Sequence, residues 1–314
     1  MVGRIEIVSR CGRTQGFVFV RDVVTMTGMK SSLLRFSVAI GLSVSLAAVL
    51  IAQNDNWTRP FPGHRVIGNL YAVGTYDLAV FLITSGDGHI LINTGVEDST
   101  AMIRQNIESM GFRLEDVKIL LATQAHWDHT AALAEIKELT GAEMWATAED
   151  APVLEDGGFS DPHFGGRESF RPVSVDKIIA DGDVIELGPT RLTVMETPGH
   201  TAGSSSYLME VREGNRAYDV GVINMGTIND GKKLIVDPTY AGVADDFALT
   251  FRKQKALDLD VWVSSHGSQY QLHEKYQAGQ EYSPETFVDP DGFLRSVERL
   301  ERLYVAQIEA EQRQ

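Results

Sequence analysis

Short apolar runs bounded by polar turns recur along this chain, and most are too short to be helices. Arg65 to Thr84 holds two of them, V-I-G-N-L-Y-A-V-G-T and L-A-V-F-L-I-T, with the partial alternation of half-buried strands. A turn at Ser85-Gly86-Asp87-Gly88 leads to His89-Ile90-Leu91-Ile92 and a polar stop at Asn93-Thr94-Gly95, so this region reads as a β-meander. The period then changes. From Asp98 to Met110 the residues Met102, Ile103 and Ile107 share a helical face, with Asp98 or Ser99 as cap. Ile119 to Ala122 is a buried strand, followed by a polar turn and an alanine-rich helix whose Leu133-Ile136-Leu139 face runs to Gly141. Residues 143–147 form another strand, with a short acidic helix after it.

The chain from Gly157 to Arg171, G-G-F-S-D-P-H-F-G-G-R-E-S-F-R, has no period and reads as a functional flap. Strands follow at Lys177–Ala180, Val184–Leu187, Leu192–Glu196 and Ser205–Val211, with Asp181-Gly182-Asp183 as a hairpin turn. Gly221 to Ile228 is a further strand, Val243 to Leu257 a helix, Val261 to Val263 a strand and Gln271 to Gln277 a short helix. Phe293, Val297, Leu300, Tyr304 and Ile308 then lie at helical spacing, the mark of a surface helix on a sheet. Strands followed by helices occur twice with no linker between the halves. The fold class is α/β with two sheets, and a four-layer αββα sandwich is the arrangement expected for residues 53–314.

Composition narrows the function. Among 314 residues, 43% are hydrophobic and 23% charged, with a formal net charge of −15, so no basic footprint for nucleic acid exists. Lys30 and Arg35 precede a charge-free run from Phe36 to Ala52, which ends in a small residue before Gln53-Asn54-Asp55-Asn56. These are the marks of a secretory signal peptide; the other reading, an uncleaved anchor, needs a span slightly longer than this run. Met26 or Met29 would be the more normal start, so the residues before them read as an over-long extension. Cleavage after residue 52 leaves 22 basic against 41 acidic side chains, a formal −19, and removes Cys11, the only cysteine. The expectation is a periplasmic, monomeric protein with no stable membrane association after cleavage. Any metal in it is held by His, carboxylate or amide.

Three strand ends deliver histidine. His126, Asp128 and His129 lie in the turn after Ile119–Ala122, beside Gln124; His200 lies in T-P-G-H-T-A-G after Leu192–Glu196; His266 follows Val261-Trp262-Val263. One histidine is usually a satisfied polar residue, but three strand ends converging with an aspartate point to a metal. His64, His89 and His273 read as structural, and His163 as an exposed loop residue.

These motifs resemble the metallo-β-lactamase superfamily from about Val66 onward. The G-G-F-S-D loop, R-P-V-S-V-D-K, Asp181-Gly182-Asp183, Ala244-Asp245-Asp246 and S-H-G-S-Q-Y-Q-L-H-E-K-Y are similar to subclass B3 enzymes. Ile92-Asn93-Thr94-Gly95, Asn224-Met225 with Thr227-Ile228, and above all Gln124 in place of the first histidine bring it nearest to the GOB type. The resemblance implies up to two Zn2+ ions, the first on Gln124, His126 and His200 and the second on Asp128, His129 and His266. It implies a zinc-bound hydroxide attacking the lactam carbonyl, oriented by Asp128 as the catalytic carboxylate, in penicillins, cephalosporins or carbapenems.

Met225 stands where many relatives place a carboxylate-binding serine, and its alternative reading is a core methionine. Ser204, Ser205, Lys232 and Lys233 are the other candidates for holding a substrate carboxylate, and Trp127 either lines the pocket or covers it. Another superfamily hydrolase, a lactonase or thioesterase, would usually carry a bridging aspartate on a later strand, where Val222-Ile223-Asn224-Met225 has none. A non-catalytic metal-binding protein is the remaining alternative. Because an amide oxygen is a weaker zinc ligand than imidazole, Gln124→His is expected to raise metal content toward two per chain, read by elemental analysis of the purified protein.

Overall fold

Alternation along the strands sorts the side chains onto two faces and thereby builds two sheets. The computed structural model describes residues 55–314, so the signal-peptide run lies outside the described residues. β1 (His64–Ile67), β2 (Leu70–Ala72), β3 (Phe81–Ser85) and β4 (Gly88–Ile92) form the expected antiparallel meander. β5 (Val117–Leu121), β6 (Glu143–Ala146) and β7 (Lys177–Ile178) extend it in parallel to seven strands in sequence order. The second sheet has five strands, β8 (Val184–Leu187), β9 (Thr190–Glu196), β10 (Ser205–Glu213), β11 (Arg216–Ile223) and β12 (Val261–Ser264). Their order is β12-β11-β10-β9-β8, with only β11 and β12 parallel.

Phe81, Ile83, Ile90, Ile92, Ile119 and Leu121 cluster with Leu192, Val194, Tyr207, Val220 and Val222 of the second sheet. Leu82, Leu91 and Leu120 turn the other way, onto α1 (Thr100–Ser109) and α3 (Leu133–Thr140) through Ile103, Ile107, Leu133 and Ile136. The second sheet is covered by α5 (Val243–Lys255) and α7 (Pro290–Gln312), through Phe247, Phe251, Val297 and Leu300. Between these lie the short helices α2 (Trp127–Thr130), α4 (Ala151–Asp156) and α6 (Leu272–Lys275). The fold is the four-layer αββα sandwich.

Two expectations are corrected. Asp181-Gly182-Asp183 is not a hairpin: β7 pairs with β6 and β8 with β9, so this tight turn carries the chain from one sheet to the other. Gly182, at φ 86°, donates its N–H to Val194, which fixes the crossover on the second sheet. The strand expected at Gly221–Ile228 starts earlier and stops at Ile223, because Ser206 Oγ captures the Asn224 N–H and draws the chain out of the sheet.

Both sheets are pinned together at one end by a buried polar knot. Asn93, in the left-handed region at φ 64°, accepts the Thr123 N–H at 2.8 Å on its side-chain oxygen. Thr123 Oγ1 lies 2.8 Å from Ser265 Oγ, and the Thr123 carbonyl accepts the Ser205 N–H. The strand ends of β4, β5, β10 and β12 are therefore held at fixed separations where the histidine-bearing turns begin.

At the C-terminus, the Glu311 carboxylate accepts the backbone N–H groups of Leu234, Ile235 and Val236 at 2.7–3.1 Å, and Gln307 donates to the Lys232 carbonyl. Burial opposes its ionisation, but those amides outweigh it and hold the carboxyl down at about 2 against an ordinary 4.5. A depressed folded-state pKa stabilises the fold above the unfolded value and loses that contribution as pH falls from about 4.5 toward 2. Glu311→Gln is expected to lower stability at pH 7 by about 1–2 kcal/mol and to flatten the acid limb, read by urea titrations between pH 3 and pH 7.

Candidate metal centre

The first donor group is built from two turns. His200 sits in the turn after β9, where Asp150 accepts Thr201 Oγ1 and Gly203 N at 2.9 Å each. A Cβ at position 203 would come within 2.2 Å of Thr147 Oγ1 and 2.5 Å of the Asp150 nitrogen, so only glycine lets the turn close this tightly. Burial lifts the Asp150 carboxyl to about 6, against these same bonds. His200 Nδ1 donates to the Thr227 carbonyl at 2.8 Å, which turns Nε2 inward to 3.1 Å from His126 Nδ1. The outer nitrogen of His126, Nε2, faces Asp161 Oδ2 at 3.3 Å.

When the outer nitrogens of both rings carry the proton, the inner nitrogens present lone pairs to each other, an arrangement that a cation between them relieves; with the proton on His126 Nδ1 the same contact is a hydrogen bond. Gln124 borders the same cavity, and its buried Oε1 has no protein donor. Burial, together with His126 and Lys232, pushes the His200 imidazole well below its usual value, keeping it neutral as a ligand must be.

The second group stands beside it. Asp128 Oδ2 is 3.2 Å from His129 Nε2 and 3.4 Å from His266 Nε2, and one donor atom from each residue lies within 4.8 Å of the others. His266 Nδ1 is 3.2 Å from Asp77 Oδ2, whose other oxygen accepts the Ser268 N–H. Burial disfavours charge on His266, but Asp128 and Asp77 overcome it and raise the ring to about 9. Burial likewise opposes ionisation of Asp128, yet His129 and His266 hold it well below the carboxylate range. Anionic oxygen, imidazole and amide oxygen are the donors a zinc site uses, so the residues present fit that ion at both positions, with the His266 proton released on binding.

A cavity of about 490 Å³ opens over both groups, lined also by Trp57, Trp127, His163, Phe164, Asn224, Thr227 and Asp230. Trp127 thus lines the pocket, with Trp57 edge-on to it at 5.6 Å. His163, read as exposed, borders the cavity because the flap folds back over the metal turn. Ser204 and Ser205 are corrections, both buried away from the cavity, Ser204 bonded to Thr201 and Ser205 to the Gly203 carbonyl; Met225 lies in the core, as its other reading had it, and not on the cavity wall. Lys232 is also buried and spends its ammonium on the Gly199 and His200 carbonyls, while Lys233 is exposed. His64 stacks on Tyr276 and His273 on Tyr76, while His89 is buried beside Phe112, all outside the cavity wall.

Sequence reasoning missed Asp77, Asp161, Thr227 and Trp57. Asp77 and Asp161 carry the one available signal, a carboxylate in an otherwise apolar or glycine-rich stretch.

Histidine-bearing turns at the strand ends of a two-sheet sandwich define a metal-dependent hydrolase. The chain belongs to the metallo-beta-lactamase superfamily, whose profile matches residues 76–212. Among solved structures it is similar to the class B3 di-zinc metallo-beta-lactamase LRA-12 from an Alaskan soil metagenome: 44% identity, TM-score 0.78, 80% of this chain and 96% of that one. It is similar also to the metallo-beta-lactamase GOB-18 from Elizabethkingia meningoseptica, at 42% identity and TM-score 0.79, over 81% of this chain and 95% of that one. A hydroxyacylglutathione hydrolase of a Bradyrhizobium species is 30% identical over 143 residues, 43% of this chain and 48% of that protein. The chain spans about half the length of the curated relatives it matches.

Asp77 fixes which nitrogen of His266 faces Asp128. Asp77→Asn is expected to weaken metal binding at Asp128, His129 and His266 about 10–100-fold, read by competition with a chromophoric chelator.

Proposed function

We propose that the protein is a zinc-dependent β-lactamase, opening the ring amide of penicillins, cephalosporins and carbapenems. The observation that carries this reading is the end of β11. The strand runs into Asn224 and Met225, and the next carboxylate, Asp230, borders the cavity without joining the group of Asp128, His129 and His266, whereas lactonase- and thioesterase-type relatives are expected to carry a bridging aspartate at the strand end. Similarity to LRA-12 and GOB-18 over nearly their whole lengths supports it.

Zinc bound by Gln124, His126 and His200, and by Asp128, His129 and His266, would supply Lewis acidity and lower the pKa of a bound water to about 7. Asp128, kept ionised, is placed to orient the attacking water. Thr227 keeps the His200 lone pair directed inward, and Asp77 does the same for His266. The Asn224 side-chain nitrogen is buried, has no protein acceptor and belongs to a residue of the cavity wall, so it offers a donor to a substrate oxygen. Trp57, Trp127 and Phe164 supply the apolar walls that exclude bulk water, and about 490 Å³ suits a bicyclic ligand.

The same reading includes export of a monomer to the periplasm, supported by the apolar run at Phe36–Ala52. Among the described residues no helix is long and apolar enough to cross a membrane. A second reading, thioesterase chemistry, is favoured by the hydroxyacylglutathione hydrolases among the curated relatives.

A carbapenem, a cephalosporin, a lactone and a glutathione thioester, assayed side by side with and without chelator, separate the two. Chelator-sensitive turnover of the lactams is expected; chelator-sensitive turnover confined to the thioester or lactone would replace the first reading with the second, and inactivity on all four would leave a metal-binding protein.

A further inference from the structure

Three imidazoles of the centre have an outward nitrogen facing an oxygen, and the three oxygens come from different places. That of His200 is a backbone carbonyl at Thr227, and that of His266 is Asp77, just ahead of β3. That of His126 is Asp161, which belongs to the 157–171 flap. We propose that Asp161 is a positioning residue that latches this flap to the first metal site, so that metal binding at Gln124, His126 and His200 and closure of the flap over the cavity favour each other. This rests on the reading of that group as a metal site.

The flap is built as one small lobe on a narrow neck. Its ends are joined by the Phe170 N–H donating to the Gly157 carbonyl at 2.9 Å, with the Phe170 side chain buried as an anchor. Within it, Asp161 Oδ1 accepts the backbone N–H groups of His163 and Phe164, and the Asp161 carbonyl accepts the Gly165 N–H. Arg167 donates to the His163 and Phe164 carbonyls. One carboxylate oxygen thus organises the lobe, and the other is left to face the metal turn. The same turn sets the Phe164 ring edge-on to His126 at 4.9 Å and His163 at the cavity wall.

The imidazole side of the contact is equally bare. His126 Nε2 is buried and makes no aligned hydrogen bond; Asp161 Oδ2, at 3.3 Å and off the ideal line, is the carboxylate that faces it. Ligation through Nδ1 draws electron density from the ring and makes the Nε2 proton a stronger donor, which tightens that contact. A carboxylate on the outer nitrogen in turn raises the basicity of the ligating one. By linkage, whatever factor closure contributes to metal affinity, metal contributes to closure. With Gln124 a weak ligand, the first site has most to gain from such support.

The test uses the full chain and its Asp161→Ala and Asp161→Asn variants, titrated with zinc against a chromophoric chelator, with amide hydrogen exchange of 157–171 followed with and without zinc. The parent is expected to bind zinc at both sites and to show zinc-dependent protection of the flap. Asp161→Ala is expected to lose about 10–100-fold of first-site affinity, with the second site unchanged and the zinc-dependent protection abolished. Asp161→Asn, which keeps an acceptor, is expected to recover part of both. A parent that binds no zinc at the first site overturns the metal reading itself. A parent that binds two, with Asp161→Ala binding as tightly or losing both sites equally, overturns the latch alone, as does flap exchange indifferent to zinc.

Discussion

Thr123 is buried completely, and both its backbone and its hydroxyl are committed to other strand ends. It takes Asn93 from β4, Ser265 from β12 and Ser205 from β10. Each of these polar groups lies in a water-free interior, where an unmatched donor or acceptor costs about 1–3 kcal/mol. The knot therefore has essentially one satisfied arrangement, and that arrangement sets how far apart the two sheets stand at this end. The histidine turns start within a few residues of it. The knot fixes where those turns begin, and the oxygens facing the rings fix their aim.

Beyond the knot, the centre is held by oxygens recruited from remote segments: Asp77 ahead of β3, Asp161 in the flap, Thr227 after β11, Asp150 at the start of α4. Each selects one nitrogen of an imidazole or fixes the turn carrying it. Burial keeps His200 neutral and pairing keeps Asp128 ionised, the protonation states a cation requires of those two, while the two carboxylates beside His266 hold a proton on its ring that a cation would displace. The buried Lys232 joins this framework by binding the carbonyls of the His200 turn, and Gln307 and Glu311 of α7 clamp the segment that follows.

The superfamily profile and the class B3 structures cover different shares of the chain. The superfamily profile ends at residue 212, so it contains Gln124 to His129 and His200 but not His266, Asn224 or the last helix. The matched part builds β3 to β7 of the first sheet, β8 and β9 of the second and most of the histidine-bearing turns. What closes the cavity against a particular substrate, the end of β11 and the His266 strand, lies beyond it. There the class B3 structures, aligned across their full lengths, are the informative comparison.

Strand alternation and the six candidate donors, Gln124, His126, Asp128, His129, His200 and His266, were legible in the sequence alone. Both are local properties: side chains two apart share a face, and a histidine after a buried strand must emerge at its end. Tertiary structure alone decided that Asp181-Gly182-Asp183 changes sheets, that Ser204, Ser205, Met225 and Lys232 turn inward, and that His163 borders the cavity. It also decided which nitrogen each imidazole presents, because that choice is made by oxygens such as Asp77 and Asp161, 189 and 35 residues from the histidines they hold. A hydrogen-bond partner at such distances leaves no period in the sequence; it exists only once both sheets have closed around Thr123.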